Sequence, residues 1–175
     1  MDIKPLIRTI PNYPTKGIMY RDITTLIQDP KGFKFVITTL AKKFKNIKID
    51  KIAAIESRGF IFGSALAFEL GLGIILLRKK GKLPYKTLKE EYLLEYGKDC
   101  LELHIDAINK GDVIILIDDL IATGGTALAS INLIKRLGGI IYKSVFIIDL
   151  PKLNGRNLLK KNGVDSFSLI EFDGH

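Results

Sequence analysis

Residues 113–126 constrain the fold of this chain most, because an apolar run passes abruptly into acids and then into a glycine turn. The apolar run, residues 113–117, is too short for most helices and has no polar alternation, which is typical of a strand buried on both faces of a parallel sheet. Asp118 and Asp119 follow it, and Thr123-Gly124-Gly125-Thr126 opens an amphipathic helical pattern. The stretch therefore predicts a strand, a turn and a helix in succession.

The turn at residues 123–126 has the composition of a phosphate site. Glycines let the backbone approach a ligand, and the start of a helix offers unpaired N–H groups at the positive end of its dipole. Asp118 and Asp119 would repel a phosphate unless they face hydroxyl groups or a magnesium ion. Since ribose 5-phosphate carries both a phosphate and a diol, we interpret the stretch as a phosphoribosyl site. The alternative is a plain strand–turn–helix in which Thr123 caps the helix.

Length and composition predict a single domain, residues 1–175, in which 47% hydrophobic residues can bury a sizeable core. The formal net charge of +8 should attract anions, whether nucleic acid, a membrane surface or phosphorylated small molecules. A single cysteine, Cys100, leaves no internal disulfide, and with only two histidines no Cys/His zinc cluster can be assembled.

Two segments bear on the location of the chain. The first five residues lack the apolar run of a secretory signal, so we expect a cytoplasmic protein. Residues 60–77 are mostly apolar, but Glu69 would be costly in lipid and residues 70–73 read as a break. We therefore predict a helix followed by a buried strand there, and no membrane span.

Polar clusters follow two further predicted strands, residues 51–55 and 74–77. The carboxyl ends of parallel strands meet at one edge of a sheet, so these clusters should lie beside the turn at residues 123–126. Such an edge could hold a pyrophosphate between the two clusters and a 5-phosphate on the turn. Taken singly, each cluster also fits a helix cap or a solvated loop. The clusters are Glu56-Ser57-Arg58-Gly59 and Arg78-Lys79-Lys80-Gly81-Lys82.

The remaining patterns predict a mostly parallel sheet covered by helices on both faces. Asp29-Pro30 should begin a helix, residues 142–150 and 167–172 should be strands, and residues 151–161 should include a short helix. Residues 1–28 start with a short helical pattern and then look loop-like, which suggests a functional covering segment. Polar–apolar alternation in residues 85–105 predicts a half-exposed two-stranded flap.

Residues 113–126 resemble the 5-phosphoribosyl-1-pyrophosphate (PRPP) signature of the type I phosphoribosyltransferases. The rest of the chain is similar to the adenine phosphoribosyltransferase family, and this resemblance extends over nearly the whole chain. This resemblance implies an α/β, single-domain type I phosphoribosyltransferase fold, with a small hood at residues 1–28 and a flexible flap at residues 85–105. The motifs that carry it are Pro-Thr-Lys-Gly-Ile-Met-Tyr-Arg-Asp-Ile-Thr at residues 14–24, Glu-Ser-Arg-Gly-Phe-Ile-Phe-Gly at residues 56–63, residues 77–84, and Leu-Glu-Tyr-Gly-Lys within residues 92–98.

The resemblance also implies a role for particular residues. Glu95 is the expected acid–base residue at N7 of adenine, and the peptide between Glu56 and Ser57 is expected to be cis. Adenine should lie near Met19, Tyr20 and Arg21. Pyrophosphate is expected at Ser57, Arg58, Arg78, Lys79 and Lys82, with the residue 78–82 cluster contributed partly by a neighbouring subunit. The 5-phosphate and ribose are expected at Asp118, Asp119, Ala122, Thr123, Gly124, Gly125 and Thr126.

The implied reaction converts adenine and PRPP into AMP and pyrophosphate in a homodimer. Magnesium (Mg²⁺) would arrive with PRPP near Asp118 and Asp119, without strong direct ligation by the protein. Glu56 and Tyr20 stand where Asp and Phe are common in the family. Both changes keep the charge or the ring, so we expect the same substrate.

Two other classes of protein share the PRPP signature. A hypoxanthine, guanine or xanthine phosphoribosyltransferase would lack the hood motif of residues 14–24. A non-catalytic regulator that senses PRPP would suit the charge of +8, but it normally needs a DNA-binding module, for which 175 residues leave no room. We therefore expect no nucleic-acid partner.

Overall fold

A seven-stranded sheet with the strand order β5-β6-β4-β3-β7-β8-β9 organises the chain. The computed structural model describes residues 1–93 and 97–173. Within that part the strands are β1 (Arg8–Pro11), β2 (Met19–Asp22), β3 (Lys51–Ile55), β4 (Gly73–Lys79), β5 (Thr87–Leu93), β6 (Lys98–His104), β7 (Val113–Ile121), β8 (Ile140–Asp149) and β9 (Ser166–Glu171). The α-helices are α1 (Thr24–Gln28), α2 (Pro30–Phe44), α3 (Gly59–Leu70), α4 (Gly125–Arg136) and α5 (Gly155–Lys161).

Five neighbouring strands, β4-β3-β7-β8-β9, run parallel, and the helices α3, α4 and α5 connect them. The β5–β6 hairpin adds to this sheet in the antiparallel sense. The predicted α/β class with a mostly parallel sheet is confirmed. All the parallel strands end at one edge, which places the segments that follow them close together.

The central strand β7 is buried on both faces, as its apolar run predicted. Ile115 and Ile117 pack into a core with α2 and α3, whereas Ile114 and Leu116 pack into a second core with α4. The strand is longer than predicted, because its pairing with β8 continues through Asp118 to Ile121. The two acids therefore lie within regular strand backbone rather than in a loop.

Residues 1–28 differ from their prediction, whereas the predicted two-stranded hairpin of residues 85–105 is present. The loop-like part of residues 1–28 contains the antiparallel hairpin β1–β2 and helix α1, since short strands interrupted by Pro and Gly give no clear alternation. The β5–β6 hairpin forms one edge of the sheet. Because β6 pairs with β4 at Arg78 and Lys79, Leu101 and Leu103 are fully buried.

Residues 60–77 divide into α3 and β4, as predicted. Gly71 ends α3 in the left-handed conformation, at φ 67°. In the described part of the chain, no helix is long and apolar enough to cross a membrane.

Candidate active site

An open cleft of about 580 Å³ lies where the carboxyl ends of β3, β4 and β7 meet. The hood hairpin β1–β2 contributes to it from one side and the β5–β6 hairpin from another. Several of the predicted site residues share this cleft. Its polar lining consists of Tyr20, Glu56, Ser57, Arg58, Lys79, Lys82, Tyr92, Asp99, Asp118, Asp119 and Thr126.

The turn that leads into α4 is shaped by backbone contacts. Gly124, at φ 85°, is the N-cap residue, and no side chain caps the helix, so the alternative of a Thr123 cap does not hold. The first N–H groups of α4 therefore keep their capacity to bind an anion. Thr126 lines the cleft, whereas Thr123 faces a neighbouring cavity beside α5.

Gly155, at the start of α5, supports this turn from behind, and sequence reasoning missed it. Its N–H donates to the Ala122 carbonyl oxygen at 3.0 Å. A Cβ on Gly124 would lie 2.9 Å from the Gly155 carbonyl oxygen, and a Cβ on Gly155 would collide with Ala122. Glycine is required at both positions because backbone packs directly on backbone.

Asp119 is buried, and Asp118 beside it is half-buried and lines the cleft. Burial raises the pKa of Asp118 well above its usual value, and the neighbouring Asp119 charge adds to this effect. Burial also raises the pKa of Asp119, against the opposing charge of Arg58. Gly59 allows the close fit of α3 against this pair, since a Cβ there would lie 2.8 Å from Asp118 Oδ1.

Arg58 joins the hood to the acidic pair. Its Nε lies 2.9 Å from Asp119 Oδ2 in an ion pair, but the approach is not aligned for a hydrogen bond, so this buried oxygen still lacks a donor. Its Nη1 donates to the Tyr20 hydroxyl oxygen at 2.7 Å and to the Arg21 carbonyl oxygen at 3.3 Å. The peptide between Glu56 and Ser57, just before Arg58, is cis, as the resemblance implied.

The cations of the 78–82 cluster are gathered by Glu56, which sequence reasoning did not place among them. Glu56 forms ion pairs with Arg78, at 3.3 Å, and with Lys82, and it accepts from the Lys79 N–H at 2.8 Å. Burial raises the pKa of Glu56, but the hydrogen bonds from Lys82 and Lys79 and the nearby positive charges outweigh burial and lower it. The buried side chain of Glu102 also stabilises the residue 78–82 loop, because it accepts a hydrogen bond from the Gly81 N–H at 3.0 Å.

Two residues of the β5–β6 hairpin also line the cleft and were not predicted. Tyr92 donates to Asp99 Oδ2 at 3.1 Å, and the same oxygen lies 3.1 Å from Lys79 Nζ. The two residues are directly opposite in the hairpin register, so the predicted alternation could have paired them. Glu95, the predicted acid–base residue, lies outside the described residues.

The three hood residues that were predicted to contact adenine have different surroundings. The Tyr20 ring lies against the cleft, and Met19 is 37% exposed at the start of β2. The Arg21 side chain is buried elsewhere, 4.3 Å from the Phe172 ring centroid. An adenine contact from Arg21 would therefore have to come from its backbone.

Comparisons with known proteins identify the family. The Phosphoribosyl transferase domain model matches residues 23–172. Adenine phosphoribosyltransferase from Nitrosospira multiformis is 54% identical over 175 residues, which are 100% of both chains. The chain belongs to the adenine phosphoribosyltransferase family.

Solved structures of the family share its fold. The adenine phosphoribosyltransferase of Thermoanaerobacter pseudethanolicus superposes with a TM-score of 0.92 at 49% identity, over 97% of this chain and 98% of that one. The Saccharomyces cerevisiae enzyme, crystallised with adenine and an imino-altritol bisphosphate, gives a TM-score of 0.89 at 37% identity, over 96% of each chain. Family membership confirms the type I phosphoribosyltransferase fold, and the relatives do not favour a hypoxanthine, guanine or xanthine enzyme.

In the described part of this family member, no group of three or more His, Cys, Asp or Glu residues is arranged to hold a metal ion. Asp118 and Asp119 nevertheless fit a ligand that brings hydroxyl groups or a cation. Burial raises the pKa of both carboxyl groups, and Asp119 Oδ2 has no hydrogen-bond donor. A carboxylate in that state gains most from a hydroxyl or from a positively charged neighbour.

Asp118→Asn should stabilise the protein above the pH at which Asp118 ionises. A raised pKa means that the folded protein holds a proton that the unfolded chain has released, so the free energy of unfolding falls as pH rises from the unfolded value, about 3.9, through the folded value. The neutral variant avoids this loss. We expect a higher Tm than wild type at pH 8 and little difference near pH 4, measured by calorimetry.

Asp112→Asn provides the opposite control for this prediction. The hydrogen bond from Lys51 is the main reason why the pKa of Asp112 is lowered, so its ionised form stabilises the fold above the unfolded pKa. That variant should have a lower Tm than the wild-type protein at pH 8. An Asp118→Asn protein less stable than wild type at both pH values would contradict the placement of Asp118 in a desolvated site.

Proposed function

We propose that the chain transfers the 5-phosphoribosyl group of PRPP to adenine, giving AMP and pyrophosphate in purine salvage. The observation that carries this proposal is the cleft, in which a phosphate turn, a buried acid pair and a cluster of cations face a tyrosine ring. The names of the full-length relatives and the adenine complex of the yeast relative support adenine as the base.

The cleft suggests a position for each part of PRPP. The 5-phosphate would bind at Ala122, Thr123, Gly124, Gly125 and Thr126, where α4 begins. The ribose hydroxyls would donate to Asp118 and Asp119, the latter supplying the buried oxygen that lacks a donor. The sugar would thus be bound at its 5-phosphate and at its hydroxyls, which would orient its anomeric carbon toward the base side of the cleft.

The leaving group would lie among cations. As the bond to pyrophosphate breaks, the ribose carbon gains oxocarbenium character and the pyrophosphate gains negative charge. Preorganised positive groups lower the barrier by neutralising that charge. The candidates are Ser57, Arg58, Arg78, Lys79 and Lys82. Lys82 and Arg78 form ion pairs with Glu56, so pyrophosphate has to compete with that carboxylate.

Magnesium is consistent with this site as a companion of PRPP. Asp118 and Asp119 are the residues that would lie near it, and the ion would supply further neutralisation of the pyrophosphate charge.

Adenine would lie under the hood, against Tyr20 and near Met19 and the backbone of Arg21. Glu95, from the connection between β5 and β6, is our candidate for the proton at N7 of the base. The hairpin that carries it also contributes Tyr92 to the cleft. Closure of this side would exclude water, which otherwise hydrolyses PRPP.

We further propose a homodimer formed through an apolar surface on α3 and β4. Ile61, Phe68, Ile74 and Leu76 are 37%, 88%, 37% and 38% exposed. A second copy of this chain is the proposed occupant, because the surface continues along β4 into the 78–82 cluster of the cleft.

The substrate assignment is tested by ultraviolet monitoring of adenine, hypoxanthine, guanine and uracil with PRPP and magnesium. We expect kcat/KM for adenine to exceed that for the other bases by on the order of 10²-fold or more, since a site that hydrogen-bonds one base leaves its polar groups unpaired with another. Chelation of magnesium should abolish turnover. Equal or faster turnover of hypoxanthine or guanine would overturn the assignment.

Asp118→Asn/Asp119→Asn should weaken PRPP binding, because the double variant loses the proposed contacts to the ribose hydroxyls.

Glu95→Gln should instead lower kcat by about 10²–10⁴-fold, the usual range for general acid–base catalysis, while PRPP affinity hardly changes. Glu91→Gln, a neighbouring exposed acid in β5, is the matched control and should keep wild-type kcat. A near-normal kcat for Glu95→Gln, where chemistry limits the rate, would assign the proton transfer to another group.

Phe68→Glu should convert the proposed dimer into a monomer, because it places a charge at the centre of the apolar surface. Ile140→Glu, at an exposed position on the distant strand β8, is the control and should leave the dimer intact. Sedimentation velocity measures both. If the 78–82 cluster also serves the partner, the monomeric variant loses activity as well. A monomeric wild type, or a Phe68→Glu dimer, would refute this interface.

A further inference from the structure

The hydroxyl group of Tyr20 makes a contact that a phenylalanine could not make. It accepts from Arg58 Nη1 at 2.7 Å, and the guanidinium carbon lies 5.2 Å from the Tyr20 ring centroid. Both the Tyr20 ring and its hydroxyl therefore interact with the guanidinium group of Arg58. The same Arg58 faces the buried carboxyl group of Asp119 on the other side of the cleft.

Arg58 is held short of its most favourable geometry with Asp119. A guanidinium beside a carboxylate often forms two parallel hydrogen bonds with it. Here Arg58 Nε is 2.9 Å from Asp119 Oδ2, yet that oxygen has no hydrogen bond. The two acceptors on the hood side, the Tyr20 hydroxyl and the Arg21 carbonyl oxygen, both engage Nη1 and draw the guanidinium away from the acid.

With Nη1 bound to the hood and Nε beside Asp119, the Nη2 edge of the Arg58 guanidinium can bind a ligand. In the part of the chain that the structure describes, Arg58 Nη2 makes no hydrogen bond, and the side chain is 31% exposed in the cleft. Two N–H donors can therefore face a pyrophosphate oxygen. Without the Tyr20 hydroxyl, the charge of Asp119 would draw the guanidinium toward the bidentate pair and turn those donors away from the ligand.

We propose that the Tyr20 hydroxyl is a positioning group that orients Arg58 toward pyrophosphate and thereby couples the base side of the cleft to its pyrophosphate side. The inference rests on the proposed function. A base stacked on the Tyr20 ring fixes the ring, the ring fixes the hydroxyl, and the hydroxyl fixes Arg58. Because such coupling is reciprocal, adenine should strengthen pyrophosphate binding by the same factor by which pyrophosphate strengthens adenine binding.

Tyr20→Phe tests this coupling, since it keeps the ring and removes only the hydroxyl. The hydrogen bond involves a charged donor, so we expect the dissociation constant of magnesium pyrophosphate and the KM for PRPP to rise by about tenfold. The KM for adenine should change by less than about twofold, because ring stacking is retained. Calorimetric titration of pyrophosphate with and without adenine should show coupling in wild type and its loss in the variant.

Tyr13→Phe is the matched control. The Tyr13 ring packs edge-on against Tyr20 at 5.1 Å, but Tyr13 is 53% exposed, so removal of its hydroxyl should leave pyrophosphate affinity and coupling unchanged. Thermal melting of both variants verifies that the fold is intact.

The outcomes separate this inference from the proposed function. An inactive wild type with adenine would overturn the function itself. An active wild type with Tyr20→Phe showing normal pyrophosphate affinity and normal coupling would overturn the positioning role alone. A raised KM for adenine with unchanged pyrophosphate affinity would show that the hydroxyl contacts the base instead, and would also overturn the inference.

Discussion

Burial of β7 between two layers of helices is the constraint on which the cleft depends. Its side chains alternate between a core with α2 and α3 and a core with α4, so the strand has no freedom to shift without exposing one set. The acids that continue the strand are thereby held at its carboxyl end, in surroundings that raise the pKa of both. Hydrophobic packing thus stabilises an electrostatically unfavourable site, which a ligand with hydroxyl groups or a cation relieves.

The cations of the cleft are paired with acids of the same chain. Arg58 faces Asp119, Lys82 and Arg78 face Glu56, and Lys79 faces Asp99. These pairs keep the positive groups in place, and because each cation is partly exposed, a ligand can exchange with its acidic partner. The net charge of +8 acts over longer distances by attracting phosphorylated substrates to this arrangement.

Sequence patterns predicted the fold well where periodicity was strong, and less well where it was weak. The apolar runs of β3 and β7 and the capped start of α2 were placed within a few residues. The β1–β2 hairpin was missed because it is short and interrupted, and its pairing depends on Arg8 and Asp22 meeting across the loop. The end of β7 was misplaced because its last residues are stabilised by β8, a partner that lies beyond α4 in the chain.

The sequence by itself determined the alternation of strands and helices, the glycine turn at residues 123–126 and the membership of a family, because these depend on residue types at consecutive positions. Only the tertiary structure decided which charges meet. It brought Gly155 behind the turn, turned the Arg21 side chain away from the cleft, and placed the Tyr20 hydroxyl on Arg58. Those contacts join residues that are far apart in the chain, and their geometry follows from the packing of the sheet and helices between them, which no local pattern encodes.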